Sequence, residues 1–178
     1  MGFDKQALLV DGVPNGLRIA RALRRVATPA LQVGPGQTGL PAVVEDPPGA
    51  GPLAAVGAGA AALRRWGHHG SALVLSCDLP LVDERALALL AGWPGTATVV
   101  PVLGGRPQPL CARWSPGDLD AVAGLLATGA RSMGAALDRP GVELLEEQEW
   151  SASVGPRAFA DADTPSDLDR LGVCWQAP

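Results

Sequence analysis

The sequence predicts an α/β protein of three layers, in which a mostly parallel sheet is covered by helices on both faces. Short apolar stretches that suit strands alternate along the chain with longer stretches of helical periodicity, and this alternation is typical of βαβ units. The 178 residues are 47% hydrophobic and 18% charged, which favours a single globular domain with a sizeable core.

Helices are predicted where apolar residues recur every three or four positions and where end signals flank them. Leu17, Ala20 and Leu23 define one face of the first helix. In the last helix, Thr164 suits the N-cap and Gly172 suits the C-terminal stop. The predicted helices cover residues 13–27, 53–66, about 83–91, 115–129, 131–138 and 164–172.

Strands are predicted for short apolar runs that lie between turn residues. The run SALVLS, residues 71–76, lacks a polar face and predicts a buried strand. Residues 108–114 are predicted as an antiparallel neighbour of residues 96–103, because little more than a Gly-Gly turn separates the two runs. The other predicted strands cover residues 30–34, 40–46, 142–147 and 157–163.

Charge and cysteine content exclude several classes of function. The net charge of −4 argues against a nucleic-acid-binding protein that relies on a basic face. Three cysteines without a CxxC spacing predict neither a zinc site nor a disulfide framework, and they favour a reducing cytoplasm. The uncharged run at residues 47–63 is too rich in Ala, Gly and Pro for a membrane span, and no signal core is recognisable. We therefore expect a cytoplasmic protein without nucleic-acid or membrane partners.

Acidic residues follow three of the predicted strands. Asp46, Asp78 and Asp161 stand at strand ends, and Asp163 comes soon after. Ligands of parallel α/β sheets bind at the carboxyl ends of the strands, and carboxylates there suit Mg²⁺. For Asp78 the structural alternative is a cap of the following turn, and the residue by itself fits both interpretations.

Five segments, taken together and in order, resemble the molybdenum cofactor guanylyltransferases within the wider family of nucleotidyltransferases. The resemblance covers nearly the whole chain and implies a Rossmann-like nucleotidyltransferase domain over residues 1–178. It also implies transfer of GMP from Mg²⁺-GTP to molybdopterin, with release of diphosphate. The segments are MGFDKQALLVDG, VVEDPPGAGPLAAV, LSCDLPLV, GRPQPLCARW and FADADTPSDLDRLG.

The resemblance implies roles for individual residues on the nucleotide side. Lys5, the single lysine of the chain, matches the lysine that neutralises nucleotide phosphates, and Asp78 matches the Mg²⁺ ligand. Both would act as catalytic residues. Contacts to the nucleoside are implied for Asp46, Gly51, Pro52 and Leu53.

On the acceptor side the resemblance is less direct. Asp161 and Asp163 match positions near the metal and the acceptor phosphate, so that Asp161 would share the metal and Asp163 would face the acceptor. Arg106 and Arg131 are candidates for the phosphate or the pterin of the acceptor, because guanidinium groups suit phosphate. Simple exposure to solvent is the alternative for both arginines.

The resemblance also implies a segment that this sequence does not contain. Family members begin with a strand and a glycine-rich loop of the type LAGGxSxRMGxDK, whereas this sequence begins at the MG of that motif. We expect the first strand and the phosphate-binding loop to be missing, either because the start lies at an internal methionine or because the protein is a truncated relative.

Three functions fit these observations. The first is guanylyl transfer, with GTP and molybdopterin as substrates and molybdoenzyme maturation proteins as further partners. The second is cytidylyl or other nucleotidyl transfer on the same fold, because the absent loop would read much of the base. The third is a non-catalytic protein that binds a nucleotide or the cofactor.

Overall fold

A computed structural model of the protein describes residues 8–176. Within this range the chain forms seven helices, and most of them match the predicted periodic segments. The helices are α1 (Asn15–Val26), α2 (Pro52–Arg65), α3 (Glu84–Gly92), α4 (Pro116–Ala127), α5 (Gly134–Leu137), α6 (Glu147–Val154) and α7 (Pro165–Leu171).

The strands are short, and several have only two residues. The sequence does not indicate the first two or the last, because two residues are too few to show a period. The strands are β1 (Leu9–Val10), β2 (Val13–Pro14), β3 (Gln32–Val33), β4 (Ala42–Val43), β5 (Ala72–Leu75), β6 (Thr98–Leu103), β7 (Arg106–Pro107), β8 (Cys111–Trp114), β9 (Val142–Leu145) and β10 (Trp175–Gln176).

The largest sheet has the strand order β5-β8-β6-β7, with β9 paired to β6. β8 is antiparallel to both β5 and β6, β7 is antiparallel to β6, and β9 is parallel to β6. The predicted antiparallel pairing of residues 108–114 with 96–103 is confirmed, but the prediction of a mostly parallel sheet is not. After the β6–β7 hairpin the chain runs back beside β6. β8 therefore lies between β5 and β6, where a mostly parallel sheet would pair those two strands directly.

Two smaller sheets involve the other strands. β3 and β4 form a parallel pair, and β1 lies between β10 and β2 in an antiparallel arrangement. The second of these sheets packs Leu8 and Val10 against Ala162 and Leu168 of the C-terminal region. The beginning and the end of the described chain are therefore joined.

Successive residues of the central strands enter two different hydrophobic clusters, because side chains alternate across a sheet. Val99 and Cys111 belong to one cluster, together with residues of α1, α3 and α6. Val100 and Ala112 belong to the other, together with residues of α2, α4 and α5. Burying a valine side chain such as that of Val99 or Val100 contributes roughly 1.5–3 kcal/mol, so both clusters hold the central strands in place.

β5 differs from β6 and β8 because all four of its residues are only half-buried. Among the described residues it pairs with β8 alone, which leaves its other edge open. A cavity of about 470 Å³ lies along that edge and is lined by Ile19, Val33, Val56 and Leu73 among other residues. The predicted strand at residues 71–76 is confirmed as β5, but its residues are half-buried rather than buried, because one edge of β5 faces the cavity.

Local signals predict helix ends well and one late strand badly. Asp83 caps α3 by accepting a hydrogen bond from the Ala86 amide (2.8 Å), and Gly172 ends α7 at a φ of 69°. Residues 157–163, predicted as a strand, form turns and irregular backbone. The amides of Ala158 and Ala160 bond locally, the second to Arg157 O (3.1 Å), and none of the segment pairs with a strand. Helix α6, just before this segment, is not predicted from the sequence.

Buried Asp118 connects α4 to β6. Its carboxylate accepts hydrogen bonds from Thr98 Oγ1 (2.5 Å), Ser115 Oγ (2.9 Å) and Arg139 Nε (2.8 Å). Burial by itself would raise the pKa of this carboxyl group, but the three hydrogen bonds and the Arg139 charge outweigh burial and lower the pKa. The ionised carboxylate therefore stabilises the fold above the ordinary carboxyl pKa of about 4, and this contribution is lost as the pH falls through the lowered pKa.

We expect Asp118→Asn to lower the free energy of unfolding at pH 7 by about 1–3 kcal/mol, because buried donors lose a charged acceptor. The difference from the unsubstituted protein should shrink as the pH falls below about 4. Urea unfolding at pH 7 and at pH 3 measures both effects. Asp120→Asn is the matched control, since Asp120 forms an exposed ion pair with Arg64 (2.8 Å) that contributes little. Equal losses in both variants would contradict the expectation.

Candidate functional site

Asp78 lies in the loop that follows β5, at the carboxyl end of that strand. We call residues 76–82 the Asp78 loop. Ser76 Oγ donates a hydrogen bond to Asp78 Oδ1, and Ser76 N donates to Leu110 O (2.8 Å), which ties the start of the loop to the segment before β8. The Asp78 side chain is half-buried. Its carboxylate therefore stands at the rim of the sheet, where the sequence predicts a metal ligand.

Helix α1 contacts the Asp78 loop through two polar side chains. Asn15 Nδ2 donates to Cys77 O (2.8 Å). Arg18 donates from Nη2 to Leu79 O (2.7 Å) and from Nη1 to Val82 O (2.6 Å). Sequence analysis misses these two residues, because a polar side chain at the start of an amphipathic helix looks like part of its solvated face.

The segment that carries the late acids reaches the same loop. Ala162 N donates to Asp78 O (2.9 Å), so Asp161 and Asp163 flank a residue bonded to the Asp78 backbone. Both of these acids are exposed. The Asp163 amide also donates to Asp167 Oδ2 (3.0 Å) at the start of α7. The structure thus brings three of the predicted acids, Asp78, Asp161 and Asp163, into one region.

The predicted nucleoside residues lie between β4 and α2. Asp46 is exposed and follows β4, whereas Gly51 is the N-cap of α2 and has φ 101° and ψ 175°, a conformation that essentially only glycine adopts. Pro52 is the first residue of the helix, and Leu53 is fully buried in the hydrophobic cluster of α2 and α4. The Leu53 side chain therefore packs in the core.

The two predicted acceptor arginines are exposed and lie on different elements. Arg131 Nη1 donates to Ala130 O (2.8 Å) and to Leu126 O (3.3 Å) at the end of α4. A Cβ added to Gly51 would stand 3.4 Å from the Arg131 carbonyl oxygen, so the Arg131 backbone closely approaches the start of α2. Arg106 belongs to β7, in the hairpin after β6, and none of the described contacts joins it to the other predicted site residues.

One cavity connects the nucleoside loop with the Asp78 loop. Pro52 at the start of α2 and Ser76 and Cys77 at the end of β5 line the same space. Lys5, the predicted phosphate-neutralising residue, lies outside the described residues. The structure therefore joins two of the predicted groups along the open edge of β5.

The acidic side chains of this region, Asp78, Asp161 and Asp163, offer oxygen atoms as ligands for a metal ion. Among residues 8–176, no group of three or more His, Cys, Asp and Glu side chains lies close enough together to hold a metal ion. Mg²⁺ commonly takes one or two carboxylates and completes its coordination with water and substrate phosphates. Half-buried Asp78, with the Ser76 hydroxyl beside it, fits a site of that kind.

Cys111 lies in β8, opposite Leu75 of β5, and is buried. Burial raises the pKa of its thiol, and the nearby negative charge of Asp78 raises it further. The thiol therefore stays protonated at neutral pH and is a packing residue rather than a nucleophile.

The family model of the MobA-like NTP transferase domain matches residues 1–145. The chain belongs to this family. As a MobA-like NTP transferase domain, it is related to enzymes that transfer nucleotidyl groups. No curated protein matches the chain significantly in sequence.

Solved structures support the fold of this MobA-like chain. Molybdopterin-guanine dinucleotide biosynthesis protein A from Archaeoglobus fulgidus has a TM-score of 0.73 at 21% identity, over 95% of this chain and 89% of that one. A protein from Aquifex aeolicus has a TM-score of 0.67 at 15% identity, over 83% of this chain and 78% of that one. At these identities the likeness shows a shared α/β fold.

The longest helix of the described chain, α2, has 14 residues, whereas a membrane span needs about 20. Within the described part of the chain, every helix is too short or too polar to cross a bilayer.

We expect Gly51→Ala to lower the free energy of unfolding by about 1–3 kcal/mol, because a Cβ is strained at this backbone conformation and approaches the Arg131 carbonyl. Chemical denaturation measures the change. Gly124→Ala is the matched control: Gly124 lies inside α4, and a Cβ there meets nothing within 4 Å. The control should be about 0.5–1 kcal/mol more stable than the unsubstituted protein. Similar stability of the two variants would show that Gly51 is not strained.

Proposed function

We propose that this chain is a molybdenum cofactor guanylyltransferase, which transfers GMP from Mg²⁺-GTP to molybdopterin and releases diphosphate. The observation that carries the proposal is the Asp78 loop, a carboxylate at the carboxyl end of β5 that is bonded to the segment with Asp161 and Asp163. Membership of the MobA-like family supports nucleotidyl transfer. The name of the Archaeoglobus protein refers to molybdopterin-guanine dinucleotide, which supports this choice of base and acceptor.

The reaction brings two anions together. A phosphate oxygen of molybdopterin attacks the α-phosphorus of GTP, a new P–O bond forms, and the bond to the diphosphate breaks. The diphosphate leaves with the electron pair of that bond. The attacking phosphate is already ionised at neutral pH, so the protein must supply alignment and cationic charge rather than a nucleophile.

Each predicted site residue has a role in this reaction. Asp78 would hold Mg²⁺, with Asp161 sharing it, and the bound ion would neutralise phosphate oxygens. Lys5 would stabilise the charge that develops on the diphosphate. Asp163, Arg106 and Arg131 would face the acceptor, and Asp46, Gly51 and Pro52 would form the nucleoside side of the site. Leu53, predicted as a fourth nucleoside contact, is fully buried and would instead anchor the start of α2 in the core. The short distance from Gly51 to the Arg131 backbone supports neighbouring nucleoside and acceptor sites.

The open edge of β5 lies next to the proposed nucleotide site. In the family that the chain resembles, a strand and a glycine-rich loop bind the nucleotide phosphates. The cavity along β5 is mostly apolar and is lined by residues of both β5 and β3, which supports its being filled by a further strand. A strand there, followed by such a loop, would place backbone amides for the triphosphate beside Pro52 and Cys77.

The same edge favours a second candidate function. With this edge unfilled, the protein would bind a nucleotide or the cofactor without transferring a nucleotidyl group. Cytidylyl transfer is a variant of the first candidate with another base. In all cases we expect cytoplasmic location, and molybdoenzyme maturation proteins would receive the product of the transferase.

The metal role of Asp78 is tested in a longer version of the protein that carries the additional strand and loop. We expect Asp78→Ala to lower Mg²⁺-dependent diphosphate release at least about 100-fold, because charge stabilisation in the transition state is lost. Circular dichroism and the melting temperature should stay nearly unchanged. Asp138→Ala removes an exposed carboxylate outside the predicted site and should keep its activity. Retained turnover in Asp78→Ala would remove the proposed metal role.

A binding screen distinguishes the candidate functions. GTP, CTP and ATP are titrated with Mg²⁺ into the chain as it is and into the longer version. Preference of the longer version for GTP, followed by diphosphate release with molybdopterin, is the expected result. Preference for CTP would favour cytidylyl transfer, and binding without release would favour the non-catalytic candidate.

A further inference from the structure

We propose that Asn15 and Arg18 position the Asp78 loop, so that the Asp78 carboxylate is presented to Mg²⁺ in a single orientation. This inference rests on the proposed role of Asp78 as a metal ligand. It extends that role to two residues of α1 whose side chains donate hydrogen bonds to the backbone of the loop. Both act through the loop backbone, so they are positioning residues rather than catalytic ones.

Asn15 provides the first half of this contact. It is the first residue of α1 and is fully buried, with 0% of its surface exposed. Its Nδ2 donates to Cys77 O (2.8 Å), and its Oδ1 accepts a hydrogen bond from Arg18 Nε (3.1 Å). The two side chains are three positions apart and therefore share one face of the helix. Asn15 thus bonds the loop and orients the arginine at the same time.

Arg18 provides the second half. Its Nη2 reaches Leu79 O at 2.7 Å and its Nη1 reaches Val82 O at 2.6 Å. The guanidinium plane fixes the angle between these donors, so one side chain sets the spacing of two carbonyl groups. Cys77 and Leu79, the residues on either side of Asp78, are therefore both bonded to α1.

The loop is also held from the opposite direction. Ala162 N donates to the carbonyl oxygen of Asp78 itself (2.9 Å). The carbonyl groups of Cys77, Asp78 and Leu79 thus each accept a hydrogen bond from outside the loop. Three successive peptide groups held in this way leave the Asp78 side chain few directions in which to project.

The hydrogen-bond partners of Arg18 indicate that it holds the loop through geometry rather than through an ion pair. Removal from solvent lowers the pKa of the guanidinium group, although the charges of Asp11 and Asp83 oppose that change. The three bonded nitrogen atoms meet neutral oxygen atoms, of which two are backbone carbonyls of the loop. A lysine would keep the charge but would lack the planar fork, so Arg18→Lys separates the two contributions.

The first test measures how firmly the loop is held in the metal-free protein of 178 residues. The Ala162 amide, which bonds to Asp78 O, reports on the loop through its hydrogen exchange. We expect Arg18→Lys to speed this exchange about tenfold or more, because the loop opens more often. Arg21→Lys, an exposed arginine on the same helix, is the matched control and should exchange like the unsubstituted protein.

The second test measures metal binding with Mn²⁺ as a spectroscopic probe, in the presence of GTP. We expect Arg18→Lys to weaken Mn²⁺ binding about 10–100-fold, as is usual when a residue that orients a metal ligand is lost. In the longer version, the Mg²⁺ concentration for half-maximal diphosphate release should rise equally, and the rate at saturating Mg²⁺ should approach the unsubstituted value. A merely structural role would lower the melting temperature without this dependence on Mg²⁺.

Each outcome decides the proposal. Mn²⁺ affinity or Ala162 exchange equal to that of Arg21→Lys would overturn it. If Arg18→Lys does not fold, Asn15→Ala gives the same comparison, since it removes both the bond to Cys77 and the bond that orients Arg18. If the unsubstituted longer protein binds Mn²⁺ but releases no diphosphate, the guanylyltransferase function fails, and the exchange and Mn²⁺ results still decide the role of Asn15 and Arg18.

Discussion

The candidate site depends on the hydrogen bonds that hold the Asp78 loop between α1 and the segment before α7. Leaving a buried carbonyl without a partner costs about 1–3 kcal/mol, so each of these bonds restrains the loop. The donors belong to elements that are themselves fixed by packing, since α1 contributes Ile19 to one cluster and Ala162 belongs to another. The position of one carboxylate thus follows from the packing of two separate cores.

The open edge of β5 is a feature of both the sheet and the candidate site. Its half-buried residues, its single strand neighbour in the described chain and the apolar cavity are three aspects of one feature. Backbone N–H and C=O groups along a strand edge require hydrogen-bond partners. An apolar cavity beside that edge favours another strand as the partner rather than water. Because Pro52 and Cys77 line that cavity, a strand that filled it would lie beside both parts of the proposed nucleotide site, the nucleoside loop and the Asp78 loop.

The positions of the charged side chains near the Asp78 loop fit the proposed nucleotidyl transfer. Exposed Asp161 and half-buried Asp78 lie at the rim, where the proposed cation and phosphates would bind. Arg18 is turned inward and bonds to backbone carbonyls, whereas Cys111 beneath Asp78 is held in its protonated state by burial and by the neighbouring carboxylate. The Cys111 thiol therefore does not act as a nucleophile in competition with the proposed direct transfer between phosphates.

The sequence by itself determined the features that depend on neighbouring residues. Helical periodicity, the Asp83 and Thr164 caps, the Gly172 stop and the acid at the end of β5 are all local, and the family resemblance rests on short motifs of the same kind. Only the tertiary structure decided the strand order, because β8 lies between β5 and β6 through long-range pairing. It also decided which polar residues meet: Asn15 and Arg18 are separated from their partners by more than 60 positions, and no local pattern records such a contact.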